Sequence, residues 1–171
     1  MDATTAAIGI GADAAVSLRE VTAENWRAVC KLEVAPAQAG FVAPNAWSIA
    51  EAHFAAAAWY RAIYAGETPV GFVMLEDTAD SPQRKETEPP EYYLWRFMIA
   101  AEHQAKGFGR RALTLLIAHV RARPEATELS VSYVPGDGCP AEFYRKLGFA
   151  ETSEVDDGEV MMRLPLAPSP P

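Results

Sequence analysis

The sequence predicts a mixed α/β fold built on a mostly antiparallel sheet, and three observations support this fold class. Two apolar segments within residues 60–77 flank the turn Gly66–Pro69, a pattern typical of a β-hairpin with antiparallel strands. An amphipathic helix over about 107–123 lies between two further apolar segments, Tyr92–Ala100 and Glu128–Val134. A strand–helix–strand unit of this kind places its two strands in parallel with a right-handed crossover.

The first half of the chain is predicted to contain a strand, two helices and the hairpin. Residues Val16–Val21 alternate between apolar and polar side chains, which predicts a strand. Thr22 is a favoured N-cap residue, and residues 23–34 after it carry their apolar side chains on one helical face. Two prolines interrupt the next segment, and a second helix is expected from about Ser48.

The second half is predicted to contain the strand–helix–strand unit, a short helix and the closing strands. A polar loop over 78–91 leads to the first strand of the unit, which is apolar at nearly every position and should be buried on both faces. The long helix carries an apolar stripe over Leu113–Val120 at helical spacing. Pro140 and Gly148 suit the two ends of a short helix, and residues 159–166 predict a closing strand.

Composition indicates one globular domain. The chain has 171 residues, of which 50% are hydrophobic and 22% charged. No apolar run reaches the roughly 18 residues that a membrane span needs, so no membrane association is expected. The amino terminus lacks the pattern of a signal peptide. Residues 1–15 and 167–171 are expected to be disordered tails around a single domain over 16–166.

The cysteines, histidines and net charge exclude further classes. Two cysteines are too few for a disulfide framework, which favours a reducing, cytoplasmic compartment. They cannot form a four-cysteine metal site, the three histidines show no metal spacing, and no metal is expected. A net charge of −8 argues against nucleic-acid binding. It is compatible with attraction of a cationic small substrate, or with solubility alone.

The segment Gln104–Ile117, QAKGFGRRALTLLI, places two glycines immediately before the long helix. Glycines there allow backbone N–H groups to approach a phosphate at the positive end of the helix dipole. A P-loop is excluded because no Gly-Lys-Ser/Thr follows. The spacing also fits a dinucleotide fingerprint, but only 34 residues remain after Asp137, too few for the second half of a doubly wound sheet.

Two motifs taken together resemble the GCN5-related N-acetyltransferase family. The first is Q-x-x-G-x-G, beginning at Gln104, and the second is AEFYRKLGF, over Ala141–Phe149. They occur in the family's order, separated by a helix and a strand, and the resemblance covers about residues 16–166. It implies acetyl-CoA as cosubstrate, a central, mostly antiparallel sheet with one parallel strand pair splayed around that cosubstrate, and about four flanking helices.

The resemblance also implies a cofactor site. The pantetheine arm would pair with the backbone of Phe97, Met98 and Ile99, where an N–H group would also polarise the thioester carbonyl. The pyrophosphate would be wrapped by the segment before and at the start of the helix: Gln104, Ala105, Lys106, Gly107, Phe108, Gly109 and Arg110. Arg111 is either a further contact or solvated surface.

In the family's reaction an amine attacks the thioester directly, and the resemblance assigns Tyr144 as the acid that protonates the leaving thiolate. Asp137 stands where many family members have an asparagine that contacts the cofactor. An aspartate cannot donate as an amide does, so Asp137 contacts the cofactor, contacts the substrate or only ends a loop. Glu76 and Glu91 are the candidate bases, and either is also explained as a surface carboxylate. Cys139 is rejected as a nucleophile because direct transfer needs no covalent step.

The segment Phe41–Phe54 resembles the spermidine or diamine branch of the family, which implies a polyamine acceptor. Asn45, Trp47 and Glu51 are its candidate substrate contacts, with Trp47 offering a cation–π face or packing in the core. The alternatives are another amine, such as a protein N-terminus, an amino sugar or a drug, and a non-catalytic acyl-CoA-binding module. A homodimer is compatible with the resemblance.

Overall fold

The computed structural model describes residues 10–166, which form a seven-stranded sheet with four α-helices packed on it. The strands are β1 (Val16–Arg19), β2 (Ala58–Ala65), β3 (Thr68–Asp77), β4 (Tyr92–Ile99), β5 (Glu128–Tyr133), β6 (Ala150–Asp156) and β7 (Glu159–Pro165). The helices are α1 (Trp26–Cys30), α2 (Asn45–Phe54), α3 (Phe108–Arg121) and α4 (Ala141–Arg145), with short 3-10 turns at Pro36–Gln38 and Ala101–His103.

The sheet has the strand order β1-β2-β3-β4-β5-β7-β6. Every neighbouring pair in this described sheet is antiparallel except β4 and β5, which are parallel and joined through α3. The predicted fold class, a mixed α/β structure with a mostly antiparallel sheet and one parallel pair, is therefore confirmed.

Strand β4 separates from β5 part-way along its length. Pairing between the two strands ends at Leu94, opposite Val131. On its other side, β4 remains paired with β3 as far as Ile99, but the register shifts across Trp95, which is left without a partner between Leu94 and Arg96. Trp95 is therefore the extra residue of a β-bulge, which increases the local twist of a strand. The second half of β4 is left as one wall of an open cleft.

The two faces of the sheet are covered unequally. Helices α3 and α4 cover one face with a continuous core in which Leu113 and Leu116 of α3 pack near Val131 of β5. Helices α1 and α2 cover the other face over β2–β4, where Val29 and Phe72 are fully buried. Among the described residues, this second core takes none from β5, β6 or β7. The second face therefore stays uncovered by a helix beside β5 and β7.

One expectation about burial was wrong. Strand β4 was expected to be buried on both faces throughout, but four residues in its middle, Tyr93, Trp95, Arg96 and Phe97, are only partly buried. The reason is the departure of β5, which removes the neighbour that would otherwise cover them. The polar and aromatic side chains of this stretch line a cleft instead of a core.

Helix boundaries differ from the predictions at both early helices. Helix α1 begins only at Trp26, because a turn precedes it in which the Thr22 N–H donates to Asn25 Oδ1 over 2.7 Å. Helix α2 begins at Asn45, three residues before the predicted start, with Pro44 at its N-cap position. No helix within residues 10–166 is long and apolar enough to cross a membrane.

Residues 10–15 belong to the segment predicted as an amino-terminal tail, and they pack against α3. The Arg111 guanidinium donates to the carbonyl oxygens of Ala12 and Ala14 over 2.6 and 2.8 Å. It also lies 5.0 Å from the centroid of the Phe108 ring. These contacts make Arg111 a structural residue. The rest of the predicted tails, 1–9 and 167–171, lies outside the described residues.

We predict that Gly71→Ala will destabilise the fold at the β3–β4 pair. A Cβ at Gly71 would lie 2.3 Å from the Met98 carbonyl oxygen and 2.8 Å from Ile99 Cδ1, so the two strands would have to move apart. We expect the free energy of unfolding in urea to fall by about 3 kcal/mol. Gly40→Ala is the matched control, because nothing lies within 4 Å of its Cβ position. Equal stability of the two variants would contradict the packing described here.

Candidate active site

A cleft of about 820 Å³ opens where β4 leaves β5, and it reaches the amino-terminal end of α3. Its volume lies in the range of small-molecule sites. The second half of β4 forms one wall, and α4 with the preceding loop forms the other. Phe97 of β4 and Phe143 of α4 are stacked with ring centroids 5.8 Å apart, which fixes α4 relative to the strand.

Backbone groups of β4 point into this cleft. The Ala100 N–H donates to Val70 O on the β3 side, and Ile99 O accepts from the Gln104 side chain over 2.9 Å on the opposite side. Because polar groups alternate in direction along an antiparallel strand, the N–H groups of Phe97 and Ile99 also point away from β3. Pairing with β5 has already ended at that level. These N–H groups are therefore directed to the cleft. The side chain of Met98 is buried in the core that α1 and α2 cover.

The segment before α3 adopts left-handed backbone at two positions. Ala105 has φ of 59° and Gly107, at the N-cap of α3, has φ of 75°. No side chain caps α3 and its first turn contains no acidic residue. The first N–H groups of the helix, at Phe108, Gly109 and Arg110, thus have no partner within the helix, which makes this end suited to an anion. A Cβ at Gly109 would lie 3.4 Å from Ile99 Cγ1, so this turn packs closely on β4.

The polar side chains of this segment have different roles. Gln104 Nε2 donates to Gln38 Oε1 over 2.7 Å as well as to Ile99 O, which ties the turn to the wall of the cleft. Lys106 Nζ donates to the Glu102 carbonyl over 3.4 Å, and the residue is partly exposed. Arg110 lines the cleft, and its guanidinium has no hydrogen-bond or ionic partner within residues 10–166. Lys106 and Arg110 are therefore free to meet an anion, whereas Arg111 is not.

Tyr144 of α4 lies in the wall of the cleft with only 5% of its surface exposed. The rings of Phe143 and Phe149 hold it at centroid distances of 5.4 and 5.7 Å. Its hydroxyl has no hydrogen-bond partner within residues 10–166. Burial, and to a smaller extent the nearby Tyr93, raises the pKa of the Tyr144 phenol. The group is therefore a protonated donor at neutral pH.

The loop between β5 and α4 contains Cys139 and Asp137, and only Cys139 lines the cleft. Cys139 is a free, partly exposed cysteine that lines the cleft. Asp137 is exposed and lies outside the cleft lining, between Gly136 and Gly138, which adopt positive φ. Among residues 10–166, no group of three or more His, Cys, Asp and Glu side chains is arranged to hold a metal ion.

A second cleft, of about 780 Å³, lies on the face of the sheet that no helix covers beside β5 and β7. Its lining is rich in carboxylates, namely Glu76, Glu91, Glu128, Asp156, Asp157 and Glu159. Its two cations are both paired, Arg96 with Glu51 at 3.2 Å and Arg163 with Glu128 and Glu154. The exposed rim of this cleft is therefore negative.

The two clefts share one wall at the point where β4 and β5 part. The shared side chains are Tyr93, Trp95, Arg96, Ser132 and Glu159. Glu76 lines the second cleft and not the first, and it pairs across the sheet with Tyr93. Burial, with the neighbouring Glu91 charge as a smaller cause, raises the pKa of the Glu76 carboxyl. Of the two candidate bases, only Glu76 is partly buried, whereas Glu91 is exposed.

The three candidate substrate contacts on α2 have different surroundings. Asn45 is 2% exposed, and its amide donates to Val29 O over 2.8 Å. This hydrogen bond joins α1 and α2. Asn45 is therefore removed from the candidate substrate contacts. Trp47 is 69% exposed and lines the first cleft, so it is not a core residue. Glu51 faces solvent beside Arg96, which binds its carboxylate.

Tyr93, Ser132 and Glu159 were not identified from the sequence. They lie on β4, β5 and β7 and meet only through the sheet pairing. One weak signal was present, because Ser130 and Ser132 alternate with apolar residues along β5 and so place hydroxyl groups on one face of a strand.

The acetyltransferase (GNAT) family matches the sequence over residues 17–149. No curated protein was found to match it. Among solved structures, the ribosomal-protein-S18-alanine N-acetyltransferase from Escherichia coli is similar, with a TM-score of 0.65 and 17% identity, covering 91% of this chain and 97% of that one. Arabidopsis thaliana Naa50 in complex with a bisubstrate analogue has a TM-score of 0.61 and 19% identity, covering 86% and 97%.

PaiA N-acetyltransferase from Thermoplasma acidophilum in complex with coenzyme A is also similar, with a TM-score of 0.62 and 16% identity, covering 89% of this chain and 99% of that one. Identities this low show a shared fold. The family match spans most of the chain, including β4, the glycine turn before α3 and α4. The chain belongs to the GNAT family of acetyltransferases, and it is an acetyl-CoA-dependent enzyme.

We predict that the two adjacent arginines of α3 will separate cofactor binding from stability. Arg110→Gln should raise the KM for acetyl-CoA about tenfold, through loss of a charged contact with phosphate, and leave the melting temperature unchanged. Arg111→Gln should lower the free energy of unfolding by about 1–2 kcal/mol because the Ala12 and Ala14 carbonyls lose their donor. Steady-state kinetics and urea unfolding of both variants measure this. The assignment is wrong if the two variants exchange phenotypes.

Proposed function

We propose that the protein is an N-acetyltransferase that transfers the acetyl group of acetyl-CoA directly to a primary amine of a polyamine, such as spermidine, spermine or a diamine. The observation that carries this proposal is the meeting of two clefts at the parting of β4 and β5, one ending at an uncapped helix amino terminus and the other rimmed by carboxylates. The first suits a phosphate-bearing cofactor and the second a polycation.

The residues of the first cleft fit acetyl-CoA. The free N–H groups at the start of α3 match a pyrophosphate, as does Arg110, which has no ionic partner within residues 10–166. The cleft-directed N–H groups of Phe97 and Ile99 match the amides and the carbonyl of an acylated pantetheine arm. Acetyl-CoA supplies an acetyl group activated as a thioester. The side chain of Trp47 is exposed at the same cleft and is proposed as a further contact.

Tyr144 is proposed as the group that protonates the departing sulfur. Its hydroxyl lies at the wall of the cleft without a partner among the described residues, and burial keeps its pKa high, so the phenol retains its proton until a stronger base forms beside it. The same burial raises the pKa of a thiol leaving at that position, so the thiolate becomes such a base. Asp137 is not included in the site because it is exposed and outside the cleft lining.

The polyamine assignment is supported by charge. The second cleft has six carboxylates, and both of its arginines are neutralised by partners. The whole chain carries −8, so the field around this cleft favours the approach of a cation with several charges. Two of the similar structures carry names or ligands of peptide-like acceptors, and a peptide is therefore the main competing acceptor. The cytoplasmic location and the homodimer, both expected from the sequence, remain predictions.

We predict that Tyr144→Phe will lower kcat about 100-fold, because the step loses its proton donor. The free energy of unfolding should change by less than about 1 kcal/mol, since the lost hydroxyl has no hydrogen-bond partner in the part of the chain that the structure describes. Release of free thiol from acetyl-CoA reports the rate. Tyr64→Phe is the matched control, because Tyr64 is a buried tyrosine outside both clefts. An unchanged kcat in Tyr144→Phe would remove the acid role.

We predict that spermidine, spermine and putrescine will be better acceptors than an aminoglycoside, a short peptide or a monoamine. Neutralising the rim in Asp156→Asn/Asp157→Asn should raise the KM for spermidine several-fold and leave that of the monoamine nearly unchanged, since only the polycation meets the rim with several charges. The measurement is thiol release at low and moderate salt.

The control for the rim variant is Asp13→Asn/Glu86→Gln, which removes the same formal charge at two exposed positions outside both clefts. Turnover with the peptide alone would keep the acetyltransferase and overturn the polyamine assignment. If no amine is acetylated while acetyl-CoA raises the melting temperature, the acyl-CoA-binding module becomes the better description.

A further inference from the structure

We propose that Tyr93, Ser132 and Glu159 form a proton relay that removes the ammonium proton of the incoming amine and delivers it to solvent. This proposal rests on the proposed function, because it concerns the acceptor amine of the same site. All three side chains line both clefts at the wall that the clefts share. An amine that crosses from the second cleft to the first passes this wall.

The three groups form a continuous hydrogen-bonded chain. The Tyr93 hydroxyl lies 2.6 Å from Ser132 Oγ, and Ser132 Oγ donates to the Glu159 carboxylate. Serine has one hydroxyl proton, and a carboxylate can only accept. Because the Ser132 proton is committed to Glu159, the Tyr93 proton must point to Ser132. The free lone pairs of the Tyr93 oxygen are therefore left to accept from a donor in the cleft.

An ammonium group is such a donor, and the proton transfer balances at every atom. The ammonium N–H bond breaks as a new O–H bond forms on Tyr93. The original Tyr93 proton passes to Ser132, and the original Ser132 proton passes to Glu159. Tyr93 and Ser132 end as they began, the ammonium becomes a neutral amine, and the Glu159 carboxylate becomes a carboxylic acid. Glu159 is partly exposed and returns its proton to water.

The surroundings explain why Tyr93 conducts the proton but does not itself act as the base. Burial is the main cause that raises the pKa of the Tyr93 phenol, and the nearby Glu159 raises it further, so the phenol is not ionised at neutral pH. The charge needed to accept a proton is held at the far end of the chain by Glu159. The ionisable groups that surround the relay include Glu76 on β3, Arg96 on β4, Tyr144 on α4, Asp156 on β6 and Arg163 on β7. Glu91, Glu128 and Asp157 line the second cleft around them.

Glu76 is the competing base, and its position distinguishes it. It lines only the second cleft, whereas the relay reaches both. No side-chain hydrogen bond joins Glu76 to Tyr93 among the described residues, although the two pair across β3 and β4. Glu76 is thus placed to hold a distal charge of the acceptor in the second cleft, and Glu159 to receive the proton.

The test is the pH dependence of kcat/KM for the best amine of the acceptor panel. We expect Glu159→Gln and Tyr93→Phe to lose at least about 30-fold at pH 7 and to recover as pH rises towards the pKa of the amine, near 10, where the acceptor is already neutral. Wild-type enzyme should reach its plateau at lower pH. The KM for acetyl-CoA should stay the same. A merely structural role would lower the rate equally at every pH.

Two pairs of variants control for folding and for position. Ser132→Ala breaks the chain and should show the shifted profile, while Ser132→Thr retains the hydroxyl and should restore the wild-type profile. Glu76→Gln should lower kcat/KM by a similar factor at every pH, because it removes a binding charge, and should not shift the profile. A wild-type profile in Glu159→Gln, or a shifted profile only in Glu76→Gln, would overturn the relay and leave the acetyltransferase assignment intact. If wild-type enzyme acetylates no amine, the proposed function and the relay fail together.

Discussion

The structure depends on one interruption in hydrogen bonding, the end of pairing between β4 and β5 after Leu94. The bulge at Trp95 adds a residue to β4 and turns the strand away, while β3 holds its other edge in place. Exposed strand edges are normally a liability, because unpaired N–H and C=O groups invite other strands. Here the edge lies inside a cleft between two parts of one molecule, so its polar groups are available to a ligand but shielded from another chain.

Helix α3 converts this gap into a directional site. It connects the two diverging strands, so its amino terminus must lie at the mouth of the gap that they create. The left-handed backbone at Ala105 and Gly107 allows the chain to turn from β4 into the helix within a few residues. Arg111 then anchors the first turn of α3 to the carbonyls of Ala12 and Ala14. The fold thus fixes a rigid positive end beside an edge of free backbone donors.

Local features of the sequence predicted most of the elements, and the resemblance carried by two local motifs implied the first cleft. The apolar stripe from Leu113, the glycines before α3 and the motif around Tyr144 each depend on residues close together in the chain. The second cleft could not be predicted in this way, because Tyr93, Ser132 and Glu159 come from three strands whose register is set by long-range pairing. The sequence alone also could not show that Asn45 uses its amide to join two helices.

The acidic rim of the second cleft bears on how an acetylated product departs. In the proposed function, a polyamine enters with one positive charge per amine, and acetylation converts one of these ammonium groups into a neutral amide. The carboxylates of the rim, such as Asp156 and Asp157, then hold a ligand of lower charge, and their attraction falls accordingly. Because the other cleft is the proposed acetyl-CoA site, the amide would leave by its own opening. Under this proposal, the surface that attracts the substrate also favours turnover, because acetylation weakens the attraction between the rim and the product.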